Sequence, residues 1–285
     1  MNYISLSVVR NEEKSIANMI NSILAQTIEA EKIIVVNDGS TDATGTILQR
    51  LQEEHLNKII IVTRKDRGYS ALGKQDMANV YNDGYKIAFK YEWDFVLICS
   101  ADAIFPNNYI KQLFRKVHDK TGVISGLGKN CFRGKDYPMG NGRIIRRILL
   151  EKLDKKYPVN CYWESSVLGI ARMLNYETKH YPDIVFIETR KQGSGHKCDY
   201  IGWGFGARDG GYYFFWFFIS ILKEIFEGKI GIAVKRFVGY MARKKNNAFY
   251  AKFNTQYQKK RFISSLQKYR FTSIYYFLKK IKGGN

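Results

Sequence analysis

A run of four apolar residues, Ile33 to Val36, breaks into the polar turn Asn37-Asp38-Gly39-Ser40-Thr41-Asp42 and resumes as a helical pattern from Thr44 to Leu51. Four β-branched residues in succession leave no polar face, so the segment predicts a strand covered on both sides, as in a parallel sheet. Ser40 to Asp42 offer caps for the helix that follows. Open α/β sheets bind ligands outside the carboxyl ends of their strands, where this turn sits, and Asp38 is therefore a candidate site residue.

The same grammar recurs along the first half of the chain. Residues 3–9 read as a strand, 12–26 as a helix with Ile16, Ile20, Ile23 and Leu24 on one face, 58–63 as a third strand, about 75–90 as a helix, and 94–100 as a strand ending at Ala101 and Asp102. This alternation predicts an α/β fold built on a doubly wound parallel sheet. Beyond Phe105 the pieces shorten, with a strand at 122–128 and helices at about 144–155 and 164–175. Three strand ends carry polar groups: Arg10, Asn11 and Glu12 on the first, Asp38 on the second, Ser100 and Asp102 on the fourth.

Charge is distributed unevenly. Of the net +20, the segment 228–285 holds 15 Lys or Arg and no Asp or Glu, which leaves the first 227 residues near balance. Clustered cations suit anionic lipid headgroups, phosphorylated lipid carriers or nucleic acid. The acidic strand ends would repel a polyanion, so nucleic acid is not the expected partner. Just before the basic segment lies YYFFWFFISIL, residues 212–222, too short for a bilayer that needs about 20 residues. An interfacial helix and a helix packed onto the main domain both fit it. Cysteines 99, 131, 161 and 198 form no CxxC pair, which points to buried thiols in a reducing compartment, and the opening MNYISLSVVRNEE lacks the basic start of a secretory signal.

Three segments, SVVRNEEKSIANMINSILAQ, VVNDGSTDATGTI and CSADAIFPNNYI, together with NDGYKIA at 82–88, resemble in order and spacing the N-terminal half of family 2 glycosyltransferases of the GT-A fold. The resemblance covers residues 1 to about 115. It implies an inverting enzyme that uses a nucleotide-diphospho-sugar, UDP- or GDP-linked. Asp38 then takes the place of the second acid of the family's V-D-D-G-S turn and accepts a hydrogen bond from the base; Asn37 replaces the first acid. Asp102 stands where the D-x-D motif has its last carboxylate and would bind Mg2+ or Mn2+ at the diphosphate, with Ser100 in place of the first acid. One carboxylate suffices for Mg2+ when phosphates and waters complete its shell. The polar loop 64–74 offers Arg67, Gly68, Gly73 and Lys74 toward the donor, with Lys74 the expected phosphate contact because the family's arginine before the helix asparagine is Tyr81 here. Arg64 and Lys65 read as a solvated part of that loop.

On the acceptor side, residues 161–186 resemble segments in which an acid opens a helix and Gly-Tyr follows about eleven residues later. With Asn175-Tyr176 in that place, Glu164 is the catalytic base; a register shifted by one would put Ser165 there and leave none. Arg143, Arg146 and Arg147 could meet phosphate or an acidic glycan. His196, in a glycine-rich stretch, could belong to a lid, and the GWGFG at 202–206 follows no strand and so fails as a dinucleotide fingerprint. The expected organisation is a donor half at 1–115, an acceptor half at 116–210 of the same GT-A domain, and a basic, aromatic-rich helical extension at 211–285. The expected activity is transfer to a hydroxyl on a glycan, lipid-linked or membrane-proximal, by an enzyme peripheral on the cytoplasmic membrane face. Transfer to a polyprenyl phosphate and a non-catalytic nucleotide- or nucleic-acid-binding module are the alternatives.

Overall fold

The structure is a computed structural model that describes residues 1–129, 137–160, 163–190, 199–242 and the single positions 251, 255, 256, 258 and 259. The chain divides into two compact units, Met1–Asp199 and Tyr200–Asn285.

In the first unit the strands are β1 (Tyr3–Val9), β2 (Ile33–Asn37), β3 (Ile59–Thr63), β4 (Phe95–Cys99), β5 (Ala103–Ile104), β6 (Thr121–Gly128), β7 (Arg143–Arg146) and β8 (Glu177–Glu188), and the helices are α1 (Ile16–Leu24), α2 (Thr44–Glu54), α3 (Met77–Ala88), α4 (Tyr109–Phe114), α5 (Arg147–Glu151) and α6 (Trp163–Met173). The sheet order is β3-β2-β1-β4-β7-β6-β8-β5. The first four positions are parallel, as expected. From there the sheet turns mixed: β7 runs antiparallel to both β4 and β6, while β6 and β8 are parallel.

Alternate residues of each central strand enter different cores. Ile33, Val35, Phe95 and Leu97 pack with α1, where Ile16, Ile20 and Ile23 are buried. Ile34, Val36, Val96 and Ile98 pack on the other face with Val80 and Tyr85 of α3. Both faces of the parallel half are thus covered, which is why its strands read as continuous apolar runs. Each such side chain contributes roughly 1.5–3 kcal/mol of burial.

The helix expected at about 144–155 begins as a strand instead. Ile144 and Ile145 belong to opposite cores, a period of two that the sheet enforces from both sides, and only Arg147–Glu151 is helical. Its arginines are absorbed by the fold. Arg146 donates to the carbonyls of Thr121 and His118, and Arg147 donates to Tyr91 O and pairs with Glu151 and Glu92.

The second unit is helical in its described part: α7 (Tyr200–Asp209), α8 (Phe214–Phe226) and α9 (Ile230–Ala242). The GWGFG glycines lie in α7, where they permit close helix contact. A Cβ on Gly204 would sit 2.1 Å from Arg236 O of α9. Phe217 stacks on Tyr240 at 4.2 Å and Arg236 pairs with Glu224, tying α8 to α9. Along α8, Phe214, Phe215, Phe218, Ile219, Leu222 and Phe226 are exposed. Among the described residues no helix is long and apolar enough to cross a membrane. Cys131, Cys161, Cys198, His196 and most of the basic segment lie outside the described residues. Cys99 is a buried free thiol, pushed up to about 12 by that burial, which suits a packing role.

Candidate active site

The sheet order brings the ends of β2, β1 and β4 side by side, and because β7 is antiparallel to β4, its start lies at the same edge. Asp38 follows β2 and is 3% exposed. Its carboxylate takes Arg67 at 2.5 Å, and Arg64 lies 3.8 Å away. The Oδ1 atom is buried without a hydrogen-bond partner among the described residues. Burial pushes the Asp38 carboxyl above its ordinary value against the pull of Arg67, Arg64 and Arg10. A buried acceptor left unpaired costs about 1–3 kcal/mol, which a ligand N–H would recover.

The turn around Asp38 is fastened from two sides. Arg10 donates to the carbonyls of Asp38 and Gly39, each at 2.6 Å, and pairs with Asp66 at 2.7 Å. Gly39 has φ +66°, and a Cβ on it would sit 2.5 Å from Asp66 Cα, so the turn and the β3–α3 loop close on each other only because glycine is there. Asn11 accepts from Thr41 N at 2.8 Å and donates its own backbone N–H to Ser40 Oγ at 3.0 Å. Arg10 and Asn11 therefore hold the turn in shape. Lys74 is exposed, its Nζ 4.1 Å over the Tyr69 ring, which the guanidinium of Arg67, the partner of Asp38, also approaches at 5.0 Å. Arg64, expected in solvent, also pairs with Asp83 of α3 at 3.4 Å and completes the cationic side of Asp38.

At the end of β4, Ser100 donates its hydroxyl to Asp102 Oδ1 and its backbone N–H to Asn141 Oδ1 at 3.0 Å. Asn141 in turn donates to Glu188 at 3.0 Å. Arg190 lies 3.5 Å from the other Asp102 oxygen and donates to Glu12 Oε1 at 2.7 Å; Glu12 Oε2 accepts from Ser15. Both carboxylate oxygens of Asp102 are thus engaged, one by a hydroxyl and one facing a guanidinium. A divalent ion does not fit this donor set as it stands, because a second cation on Asp102 would stand against Arg190 and one oxygen is already taken by Ser100. The Mg2+ or Mn2+ expected at Asp102 would therefore have to displace Arg190 from the one carboxylate assigned to it.

Glu164 opens α6 and is 44% exposed; its Oε1 lies 3.3 Å from Arg143, which is 2% exposed. Arg143 pairs with Ile98 in the sheet register, so the Glu164 carboxylate is anchored two residues short of Ser100 along the strand edge. Asn175 ends α6 with φ 57°, the left-handed conformation that glycine adopts most readily, and Tyr176 N–H closes the turn onto Ala171 O. That conformation is one glycine adopts at no steric cost. Tyr81 packs against Tyr157 and Trp163 beside this pair, far in role from a phosphate-binding arginine. Sequence reasoning missed Arg190, Asn141 and Glu188, whose partners lie 40 or more residues away in the chain.

The family model of glycosyl transferase family 2 matches residues 6–175, more than half of the chain. Over 120 residues the chain is 30% identical to the poly-beta-1,6-N-acetyl-D-glucosamine synthase of Staphylococcus aureus, a stretch covering 41% of this chain and 26% of that protein. Glycosyltransferase GlyA of Streptococcus pneumoniae is 28% identical over 109 residues, or 38% of this chain and 14% of its own. The chain spans about a quarter or less of the length of these curated relatives. Among solved structures, the mannosyltransferase PcManGT of Pyrobaculum calidifontis in complex with GDP-Man and Mn2+ superposes with a TM-score of 0.58 at 17% identity, over 96% of this chain and 83% of its own. Residues 1–349 of Staphylococcus aureus TarS with UDP-GlcNAc give 0.54 at 18% identity, over 87% and 75%. At such identities the likeness carries the fold, the GT-A architecture expected from the sequence. By the family match over residues 6–175, the chain belongs to glycosyl transferase family 2.

Proposed function

We propose that this protein transfers a sugar from a UDP- or GDP-linked donor to an acceptor hydroxyl, with inversion at the anomeric carbon. The observation that carries this reading is the pairing, at one sheet edge, of a buried carboxylate with an oxygen that accepts no hydrogen bond and an exposed carboxylate seated on a buried arginine. Asp38 Oδ1 accepts from the imide-type N–H that uracil and guanine both present. Glu164 takes the proton of the acceptor hydroxyl as its oxygen attacks the anomeric carbon from the face opposite the diphosphate. The bond from that carbon to the phosphate oxygen breaks, and its electron pair leaves with the nucleoside diphosphate. The relatives named for glycan synthesis and the neighbours solved with UDP-GlcNAc and GDP-Man favour the same donor class. No step passes through a metal ion.

The acceptor we propose is a hydroxyl on a lipid-linked or membrane-proximal glycan, reached by an enzyme lying on the cytoplasmic membrane face. Support comes from the exposed aromatic face of α8 and from the cations that follow it in sequence. Incubation with a panel of nucleotide sugars and lipid-linked acceptors, with product stereochemistry read by NMR, tests the transfer. A retained anomeric configuration would sink the displacement mechanism, and rapid transfer to a polyprenyl phosphate by a Glu164→Gln variant would move the acceptor to that phosphate. Sedimentation with anionic vesicles tests the membrane contact. Binding should weaken with salt and fail on truncation at 211, each cation near the surface contributing on the order of 1 kcal/mol before screening.

A further inference from the structure

The leaving diphosphate gathers negative charge as the sugar bond breaks, and some cation must meet it. The fold places one there by construction. β5 and β8 pair with Ala103 opposite Glu188, and one residue further Thr189 donates its backbone N–H to Asp102 O at 2.9 Å. That bond sets Arg190 directly over the end of β4. Its guanidinium then lies between two carboxylates from different strand ends, Glu12 after β1 and Asp102 after β4. Being 49% exposed, it is held but not sealed, and with Lys14, Glu12 and Ala101 it lines a cavity of about 530 Å³. Ser100 removes an acid from this place, and its hydroxyl occupies Asp102.

Resting on the donor reading above, we propose that Arg190 is the cation that meets the donor's diphosphate, so that nucleotide binding and sugar transfer proceed without a divalent ion. Guanidinium matches phosphate oxygens with parallel N–H donors and stays protonated at every working pH. Glu12 and Asp102 hold it in place before the donor arrives, which makes them positioning residues for Arg190. The balance of the step is unchanged: the electron pair of the broken bond goes to the phosphate oxygen, and Arg190 supplies charge without exchanging a proton.

The test is calorimetric titration of the full chain with UDP and GDP, in EDTA and in Mn2+, paired with electron paramagnetic resonance of Mn2+ binding. The wild type should bind one nucleotide equally well in both media and take up no Mn2+ at the strand ends. Arg190→Ala should lose about tenfold or more of that affinity in EDTA, the scale of a charged hydrogen bond. Mn2+ should restore part of it, because Asp102 is then released. Arg190→Lys should fall between the two, since it keeps the charge and loses the paired donors. A wild type that binds nucleotide only with Mn2+, or an Arg190→Ala variant that binds as the wild type does in EDTA, would overturn the role of Arg190 alone. Absence of nucleotide binding by the wild type in both media would overturn the donor reading and this inference with it.

Discussion

Asp38 is buried while its cationic partners Arg64 and Arg67 are a quarter exposed or less but reach the surface; Glu164 is exposed while its partner Arg143 is buried. The two carboxylates stand at one sheet edge with opposite arrangements, and the difference teaches what each can do. A buried carboxylate with one oxygen that accepts no hydrogen bond recognises a fixed donor and gains from excluding water. An exposed carboxylate on a buried cation keeps a free face toward an arriving hydroxyl while its orientation is set from behind. Recognition belongs to the donor half and proton transfer to the acceptor half.

The largest effect expected on this division is at Glu164. Glu164→Gln keeps an acceptor for Arg143 and removes the base, so turnover with a hydroxyl acceptor should fall by roughly 10² to 10⁴, measured as release of nucleoside diphosphate. An unchanged turnover would break the comparison on its acceptor side. Glu164→Ala also leaves Arg143 without its carboxylate, and should lower unfolding stability by about 1–3 kcal/mol in a denaturant titration, whereas the Gln variant should hold. Next in size is Asp38→Ala, which should raise the donor Michaelis constant by roughly 10- to 100-fold, the scale of a hydrogen bond to a charged group.

The smallest effect is the pH dependence of nucleotide affinity. The folded Asp38 carboxyl titrates above its ordinary 3.8 because it is buried. The sign follows: on acidification Asp38 takes up its proton earlier than an exposed carboxyl, so nucleotide affinity should weaken at a higher pH than an ordinary aspartate would set, and an Asp38→Asn variant should lack that step. For stability the same raised value means that ionising Asp38 works against the fold as pH rises from the unfolded to the folded value. Affinity that is independent of pH in the wild type would show that Asp38 does not touch the nucleotide.

The donor half was legible because its signals are local. Continuous apolar runs gave β2 and β4, and the turn after β2 gave Asp38 within two residues of the strand end. The acceptor half draws on contacts across the sheet. The Ile-Ile-Arg-Arg stretch before Leu149 and Leu150 has a helical apolar spacing, yet β4 and β6 on either side make Arg143–Arg146 a strand. Arg64 read as solvated because Asp83 lies a full loop and helix start away. Arg190 was invisible for a similar reason: only the β5–β8 pairing carries it to Asp102, 88 positions earlier in the numbering.

Steady-state donor kinetics of Asp38→Ala and Glu164→Gln, run side by side with one nucleotide sugar and one acceptor, test the division most directly. The account predicts a split: Asp38→Ala raises the donor Michaelis constant with little change in turnover number, and Glu164→Gln lowers the turnover number with the donor Michaelis constant unchanged. Two variants that move the same parameter by the same factor would contradict it.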